Sequence, residues 1–427
     1  MSDGALEASE VADLLASLTE KSLVVYDATT GRCSLLWMVR EYAREALAAE
    51  GEAGAVRRRH RESFLRMAEE AAEALQGPGQ ADWLRRLDQD HDNLVAALEH
   101  CAGSADGAEP GLRIACSLWR YWEVRGLFAE GVRRVEEFLA RPESAGDAAL
   151  RARALNILGN LRFRRGEYAQ AQAAYVESLE IRHRLGDQHG IARLLSNLGA
   201  VHNDLGDFTT AEALLTDAAA AARSLGDRAG EAGDLHNLGL ALYRQRRFSE
   251  AAQRFLEADQ ILRELGGGAT HLYVLQMLGA LELESGRVDA AEARFREMLA
   301  AARDLGARHP VLYGLYGMAH VALRQGAPER AALLHGAAAA LHAALESPMD
   351  PAQSREVEAA LAALREELGG ARFEAAWSHG RQLGFHEALD IALEERRELP
   401  SRAGAGSNPS NGGCGVPGPL PYWCRFP

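Results

Sequence analysis

Apolar residues recur along most of this chain at helical spacing, and from about residue 150 the pattern itself repeats. Leu155, Leu158 and Gly159 lead to a turn at Arg165-Gly166-Glu167 and then to Tyr168, Ala171 and Tyr175. The same slots hold Leu195, Leu198, Gly199, Phe208 and Ala211; then Leu235, Leu238, Gly239, Phe248, Ala251 and Phe255; then Leu275, Leu278, Gly279, Val288, Ala291 and Phe295. Two apolar stripes separated by a glycine turn predict a helical hairpin. A fixed 40-residue interval predicts hairpins stacked on one another, because one hairpin is too small to bury its own apolar face. Gly126, Gly166, Gly206, Gly286 and Gly326 share the turn phase, with Arg246 as the exception, while Gly186, Gly226, Gly266 and Gly306 mark where second helices stop. The expectation is an all-α solenoid of about five to six hairpins across residues 108–346.

A glycine inside a helix costs roughly 1 kcal/mol relative to alanine. Its return at 159, 199, 239 and 279 predicts that the second helix crosses there too closely for a side chain, with alanine at the 171 phase as the matching small partner.

The flanks read differently. Residues 5–20 form an amphipathic pattern, Ser22–Tyr26 and Cys33–Leu36 read as short strands around a turn with Gly31, and a helix resumes near Trp37. Helix, two-stranded wing and helix make the back part of a winged-helix unit, assigned to residues 1–50. Linking helices fill 56–103, broken at Gly77-Pro78-Gly79. Alanine-rich helices at about 330–346, 352–368, 371–382 and 386–397 close the stack, with 350–397 as its cap. Residues 399–427 are expected to be disordered, since six prolines and six glycines stand between Pro400 and Pro427.

Composition supports a folded helical protein: 47% hydrophobic residues, 6% aromatics and much alanine. A formal charge of −14 argues against a general nucleic-acid surface, which needs clustered cations. No leader or apolar stretch of spanning length is visible, so no membrane partner is expected. Five cysteines without Cys-x-x-Cys spacing suggest neither zinc nor a disulfide framework. A cytoplasmic location follows.

Candidate chemistry is sparse. Lys21 is the only lysine and follows Glu20, so the chain has no phosphate-binding loop of the glycine-lysine kind. His183/His189, His335/His342 and His379/His386 lack the i, i+4 spacing of helical metal ligands. No catalytic residue, cofactor or metal site is expected, and the chain reads as non-enzymatic. Arg57-Arg58-Arg59-His60-Arg61 reads either as a solvated helix start or as a contact for nucleic acid, an acidic partner or a nucleotide-binding neighbour domain. Trp119, Tyr121 and Trp122 read either as core between the first repeat helices or as a ligand cage.

The repeat resembles the tetratricopeptide repeat, which places Trp/Leu-x-x-Leu-Gly in its first helix, glycine at the turn, and alanine then an aromatic in its second. The unit here is six residues longer than the usual 34, expected as an extension of the second helix. By that resemblance the groove side chains are Arg153, Asn156, Asn160, Phe163 and Arg164; Arg193, Ser196, Asn203 and Asp204; His236, Tyr243 and Arg244; and Tyr273, Gln276 and Glu284. Asparagine and arginine hold a peptide backbone or carboxylate while aromatics cover apolar parts; an ordinary hydrated surface is the other reading.

A second likeness precedes the repeats. Leu14-Leu15-x-x-Leu18 with Lys21-Ser22-Leu23, Arg40-Glu41-Tyr42-Ala43, Arg59-His60 with Phe64, Asp92-Asn93-Leu94 with Ala96-Ala97-Leu98, then Leu118-Trp119, Trp122, Arg125-Gly126 and Glu130-Gly131 resemble the segment after the ATPase in bacterial STAND regulators of the AfsR, LuxR and MalT kinds. That resemblance implies a sensor arm whose partners are a protein or peptide in the concave groove and an ATPase module encoded upstream. The ATPase itself and a helix-turn-helix after Leu399 have no counterpart in the sequence. The alternative is a free-standing adaptor joining two proteins; an enzyme with an unrecognised site in the capping helices has no motif behind it.

Overall fold

The computed structural model describes residues 8–28, 31–75, 79–345 and 351–394. Gly77-Pro78, the tail from 395 onward, and Cys414 and Cys424 within it lie outside the described residues. The rest forms two compact units that divide between Asp187 and Gln188.

The first unit begins with α1 (Ala8–Glu20), the antiparallel pair β1 (Val24–Asp27) and β2 (Arg32–Leu35), and α2 (Trp37–Ala49). A helical body follows: α3 (Ala53–Ala74), α4 (Gln80–Gln89), α5 (His91–Gly103), α6 (Ala108–Arg125), α7 (Phe128–Leu139), α8 (Ala148–Arg164) and α9 (Tyr168–Leu185). Its core runs from Met67, Ala71 and Leu75 through Leu94, Leu98 and Leu112 to Trp122, Phe138 and Leu158. The hairpin is tied to this body by an ion pair between Arg32 and Asp90, and Asp90 also accepts from Asn93 Nδ2 at 3.0 Å. Asn93 thus clasps the α4–α5 corner while Leu94 beside it fills the core.

Of the aromatic cluster of α6, Tyr121 and Trp122 are core, while Trp119 is half-buried at its edge with the Arg120 guanidinium over its ring. Trp122 is 1% exposed, and Tyr121 is buried with its hydroxyl donating to Asp88 Oδ1 at 3.1 Å. A Cβ added at Gly131 would meet Trp122 at 2.8 Å, so the glycine of α7 is a seat for that ring.

The second unit is a run of hairpins: α10 (Gln188–Leu205) with α11 (Phe208–Ser224), α12 (Arg228–Arg244) with α13 (Phe248–Glu264), α14 (Ala269–Glu284) with α15 (Val288–Asp304), and α16 (Arg308–Arg324) with α17 (Pro328–Ala344). Then come α18 (Pro351–Leu368), α19 (Gly370–Gln382) and α20 (Phe385–Leu393), of which α19 packs on α17 and α20 on α15 to α17. One continuous core joins Leu215, Leu238, Phe255, Leu278, Phe295, Leu312, Leu334 and Leu389. Sharing that core between neighbours is what stabilises hairpins that could not fold singly.

Local sequence explains the punctuation. Turn glycines 166, 206, 286 and 326 adopt φ of +74, +80, +72 and +70°, and Gly186, Gly226 and Gly306 end second helices at +68, +72 and +63°. This left-handed conformation is open to glycine at little cost. Arg246 adopts it too, at +64°. First or second helices start on Asp147, Asp207 and Asp227, whose carboxylates accept from Leu150, Thr210 and Gly230 N–H groups.

Two expectations need correcting. Cβ atoms added at Gly159, Gly199, Gly239 and Gly279 would lie 2.4, 2.5, 2.6 and 2.8 Å from Tyr175, Leu215, Phe255 and Phe295. The crossing is therefore close, but its partner is the large side chain at the 175 phase and not the alanine at 171. The extra residues also do not lengthen the second helix alone: α10 to α13 hold 18, 17, 17 and 17 residues, so both helices share them.

Candidate binding face

The sequence-derived groove positions lie on first helices, and the two units present them separately. In the first unit Arg153 and Arg164 are exposed on α8, Phe163 is half-buried and Asn156 is buried. Arg164 is already engaged: its Nη2 donates to Glu123 Oε1 at 3.0 Å. Asn160 Oδ1 accepts from the Tyr175 hydroxyl at 2.8 Å, and Phe163 packs against Tyr168 with ring centroids 5.6 Å apart.

In the second unit α10, α12 and α14 carry the remaining positions. Arg193 is exposed; Ser196, Asp204, His236, Arg244, Tyr273 and Glu284 are half-buried; Asn203, Tyr243 and Gln276 are buried. Helices α10 and α12 are joined across this face, since Asn203 Nδ2 donates to the Asn237 carbonyl at 3.0 Å and Arg244 Nη1 donates to the Asn203 carbonyl at 2.9 Å. Arg244 also stands 3.8 Å from Asp204 Oδ1. Tyr243 instead turns to Phe248, centroids 5.5 Å apart, and Gln276 is 1% exposed, so these two line the interior more than an open surface.

Burial sets the electrostatics. It pushes the Asp204 carboxyl up against the pull of Arg244, and the Glu284 carboxyl up against Arg324 and Arg246. Desolvation lowers the His236 imidazole to about 4, leaving it neutral near pH 7. Asp234 is pushed up to about 7 by burial, with the Ser196 hydroxyl as its hydrogen-bond partner.

Several members of this face were not among the sequence-derived positions. Asp234 occupies the phase filled by Ala154, Leu194 and Val274, so an acid in an apolar slot was its signal. Asn237, one residue after His236, offers its carbonyl to Asn203. One further step of 40 residues leads from Tyr273, Gln276 and Glu284 to Tyr313, Tyr316 and Arg324 on α16. Elsewhere, Arg57, Arg58 and Arg59 are exposed on α3 while Arg61 is buried and pairs with Asp106 at 3.0 Å. Among the described residues no group of three His, Cys, Asp or Glu is placed to hold a metal ion, and no helix is long and apolar enough to cross a membrane.

The model of the tetratricopeptide repeat family matches residues 150–224 and, overlapping, 190–264. Residues 150–264 are tetratricopeptide repeats. The repeat type is that of protein-interaction modules, and its signature glycine and aromatic are the pair found in contact in each hairpin from α8–α9 to α14–α15, with leucine in the aromatic slot of α11. Three mycobacterial proteins described as HTH-type transcriptional regulators, two from strains of Mycobacterium tuberculosis and one from Mycobacterium bovis, are 35% identical over 158 residues. The match covers 35% of this chain but only 17% of each of those relatives. Among solved structures, a signal transduction ATPase with numerous domains (STAND) carrying a tetratricopeptide repeat sensor, from Pyrococcus horikoshii, superposes with a TM-score of 0.56 at 16% identity, over 86% of this chain and 53% of that one. Aspartyl phosphate phosphatase F from Bacillus subtilis gives 0.51 at 13%, over 90% and 96%. Both are likenesses of fold.

Proposed function

We propose that this chain is the non-enzymatic sensor or scaffold part of a signal-transduction and transcription-regulating protein of the STAND kind, working in the cytoplasm. Its tetratricopeptide repeats bind a protein or peptide along the first-helix face, and its amino-terminal helix, wing and helix, the remnant of a winged-helix unit, meet an ATPase module. The observation that carries the reading is the bridging of successive first helices by polar side chains, Asn203 to Asn237 and Arg244 to Asn203. A bound segment that touches both helices prefers one spacing of them over another, and that difference in affinity is what lets a repeat arm signal. The two fold likenesses and the partial match to transcriptional regulators support the reading.

Photo-crosslinking tests it. A benzophenone amino acid placed at Ser196 or Asn237 in the full chain is expected to trap a discrete partner in cells, whereas the same group at Gln253 or Glu257 on α13 is not. Equal trapping from both sets, or trapping from α13 alone, would place the interaction elsewhere.

A further inference from the structure

We infer that the second unit bends at the joint between α13 and α14, where two stiff halves meet, and that Asp259 with His271 is the clasp that holds the joint shut. The turn there is unlike its counterparts. Gly266, Gly267 and Gly268 follow one another at φ of +85, +87 and +111°, whereas the same three phases hold Gly226, Asp227 and Arg228 before α12 and Gly306, Ala307 and Arg308 before α16. Close packing does not call for them: an added Cβ would meet nothing within 4 Å at Gly266 or Gly268, and only His271 Nδ1, at 3.5 Å, at Gly267. Three glycines in succession leave the backbone many conformations of similar energy. The neighbouring starts are stiffened, α12 by the Asp227 carboxylate on the Gly230 N–H and α16 by Pro310 in its first turn. Helix α14 begins on Gly268 with no side-chain cap.

Packing points to the same joint. Helices α10 and α12 lie against each other, as do α14 and α16, but α12 and α14 touch less than either pair, and α13 meets α14 less extensively than α11 meets α12 or α15 meets α16. Apolar side chains of both helices, Leu262 and Leu272 among them, are buried in the shared core, and polar ties span the joint beside them. His271 Nε2 donates to Asp259 Oδ1 at 2.7 Å, Asp259 Oδ2 accepts from Arg294 Nη1 of α15 at 3.3 Å, and Arg263 Nη2 donates to Glu297 of α15 at 2.9 Å. At the α15–α16 joint the phases of Asp259 and His271 are filled by Leu299 and Val311, both fully buried. Parting apolar residues exposes surface that water penalises, whereas a carboxylate and an imidazole that separate exchange one another for water at small net cost. Bending alters the spacing of α12 and α14, while the α10–α12 span, tied through Asn203, keeps its own. It is a property of the joint and holds whatever the first-helix face binds.

Spin-label pairs one 40-residue step apart test this in the full chain. Ala213→Cys with Gln253→Cys spans α11 and α13 within one half, and Gln253→Cys with Ala293→Cys spans α13 and α15 across the joint; all three positions are exposed. Cys33→Ser, Cys414→Ser and Cys424→Ser clear the background, since Cys101 and Cys116 are buried with thiols pushed up to about 11 and 12. By double electron–electron resonance the 253–293 distance distribution is expected to be at least about twice as wide as the 213–253 one. Asp259→Leu with His271→Val, which installs the residue pair of the α15–α16 joint, is expected to narrow it to within about a quarter of the 213–253 width. Arg294→Met, which takes one tie from Asp259, is expected to widen it. Equal widths in the parent chain overturn the hinge with no variant needed. A width that the double substitution leaves unchanged in a folded chain, or that Arg294→Met fails to increase, overturns the clasp.

Discussion

At the residue scale the same substitution should act in opposite directions at two glycines of α12. A Cβ at Gly233 would meet nothing within 4 Å, whereas one at Gly239 would lie 2.6 Å from the fully buried Phe255 ring. Gly233→Ala is expected to raise stability by about 0.5–1 kcal/mol through helix propensity. Gly239→Ala should lower it by about 1–2 kcal/mol, overpacking outweighing the same gain. Urea unfolding followed by circular dichroism separates them, and a gain at Gly239 would refute the close crossing. Arg246 departs from the glycine of its phase yet keeps its backbone, at φ +64°. Non-glycine residues are strained there by about 1–2 kcal/mol, partly offset by glycine's extra freedom when unfolded. Arg246→Gly should therefore stabilise by about 0.5–1 kcal/mol, read as a higher urea midpoint; a lower midpoint would mean that its field at Glu284 matters more than the strain. The turn phase was legible in the sequence because glycine marks a backbone conformation. The ring that fills each glycine's missing side chain was not, because period gives phase along one helix and not which residue of the next lies opposite.

Hairpin α16–α17 shows what departure from the repeat does at the scale of an element. The slot that holds Tyr175, Leu215, Phe255 and Phe295 is taken by His335, 1% exposed, with neither ring nitrogen hydrogen-bonded. It packs against Tyr316 and His320 at centroid distances of 5.6 and 5.9 Å. An unpartnered buried polar group costs about 1–3 kcal/mol, so His335→Phe is expected to raise the thermal midpoint at pH 7 and to raise it further at pH 5. A lower midpoint at both pH values would show that the imidazole has a partner the packing requires. Sequence periodicity located this element correctly, with a helix expected at about 330–346 and observed at Pro328–Ala344. What it could not show was that the histidine stands inside, since an exposed and a buried imidazole leave the same mark on a one-dimensional pattern.

For the molecule as a whole, buried imidazoles are expected to make stability fall in mild acid. Burial lowers His236 and His320 to about 4 and His335 to about 3, against about 6.5 when unfolded. A group whose folded pKa is depressed binds protons mainly in the unfolded chain, so its contribution is complete above pH 6.5 and is lost as the pH falls toward 4. Asp234 works the other way: raised to about 7, it favours the folded state at low pH and loses that contribution as pH rises from the unfolded value through 7. Burial also raises Asp204 and Glu284 and lowers His60, His100 and His309; the lowered imidazoles outnumber the raised carboxyls, which predicts a net loss between about pH 6.5 and 4.5, measured as a falling urea midpoint and made shallower by His335→Phe. A midpoint that climbs on acidification would contradict it.

Sequence alone determined that this chain is a stack of helical hairpins, where each hairpin turns, and that no glycine-lysine phosphate loop is present, because periodicity, left-handed glycines and single residue types are local properties. It also named the helices whose side chains form the candidate face. Only the tertiary structure decided which of those side chains remain available: Tyr243 and Gln276 turn inward, Arg164 and Arg244 are held by neighbouring acids, and Asp234 and Asn237 join the face. Availability depends on what lies across a helix–helix contact, and a repeat written along one chain fixes the period of that contact without fixing its opposite side.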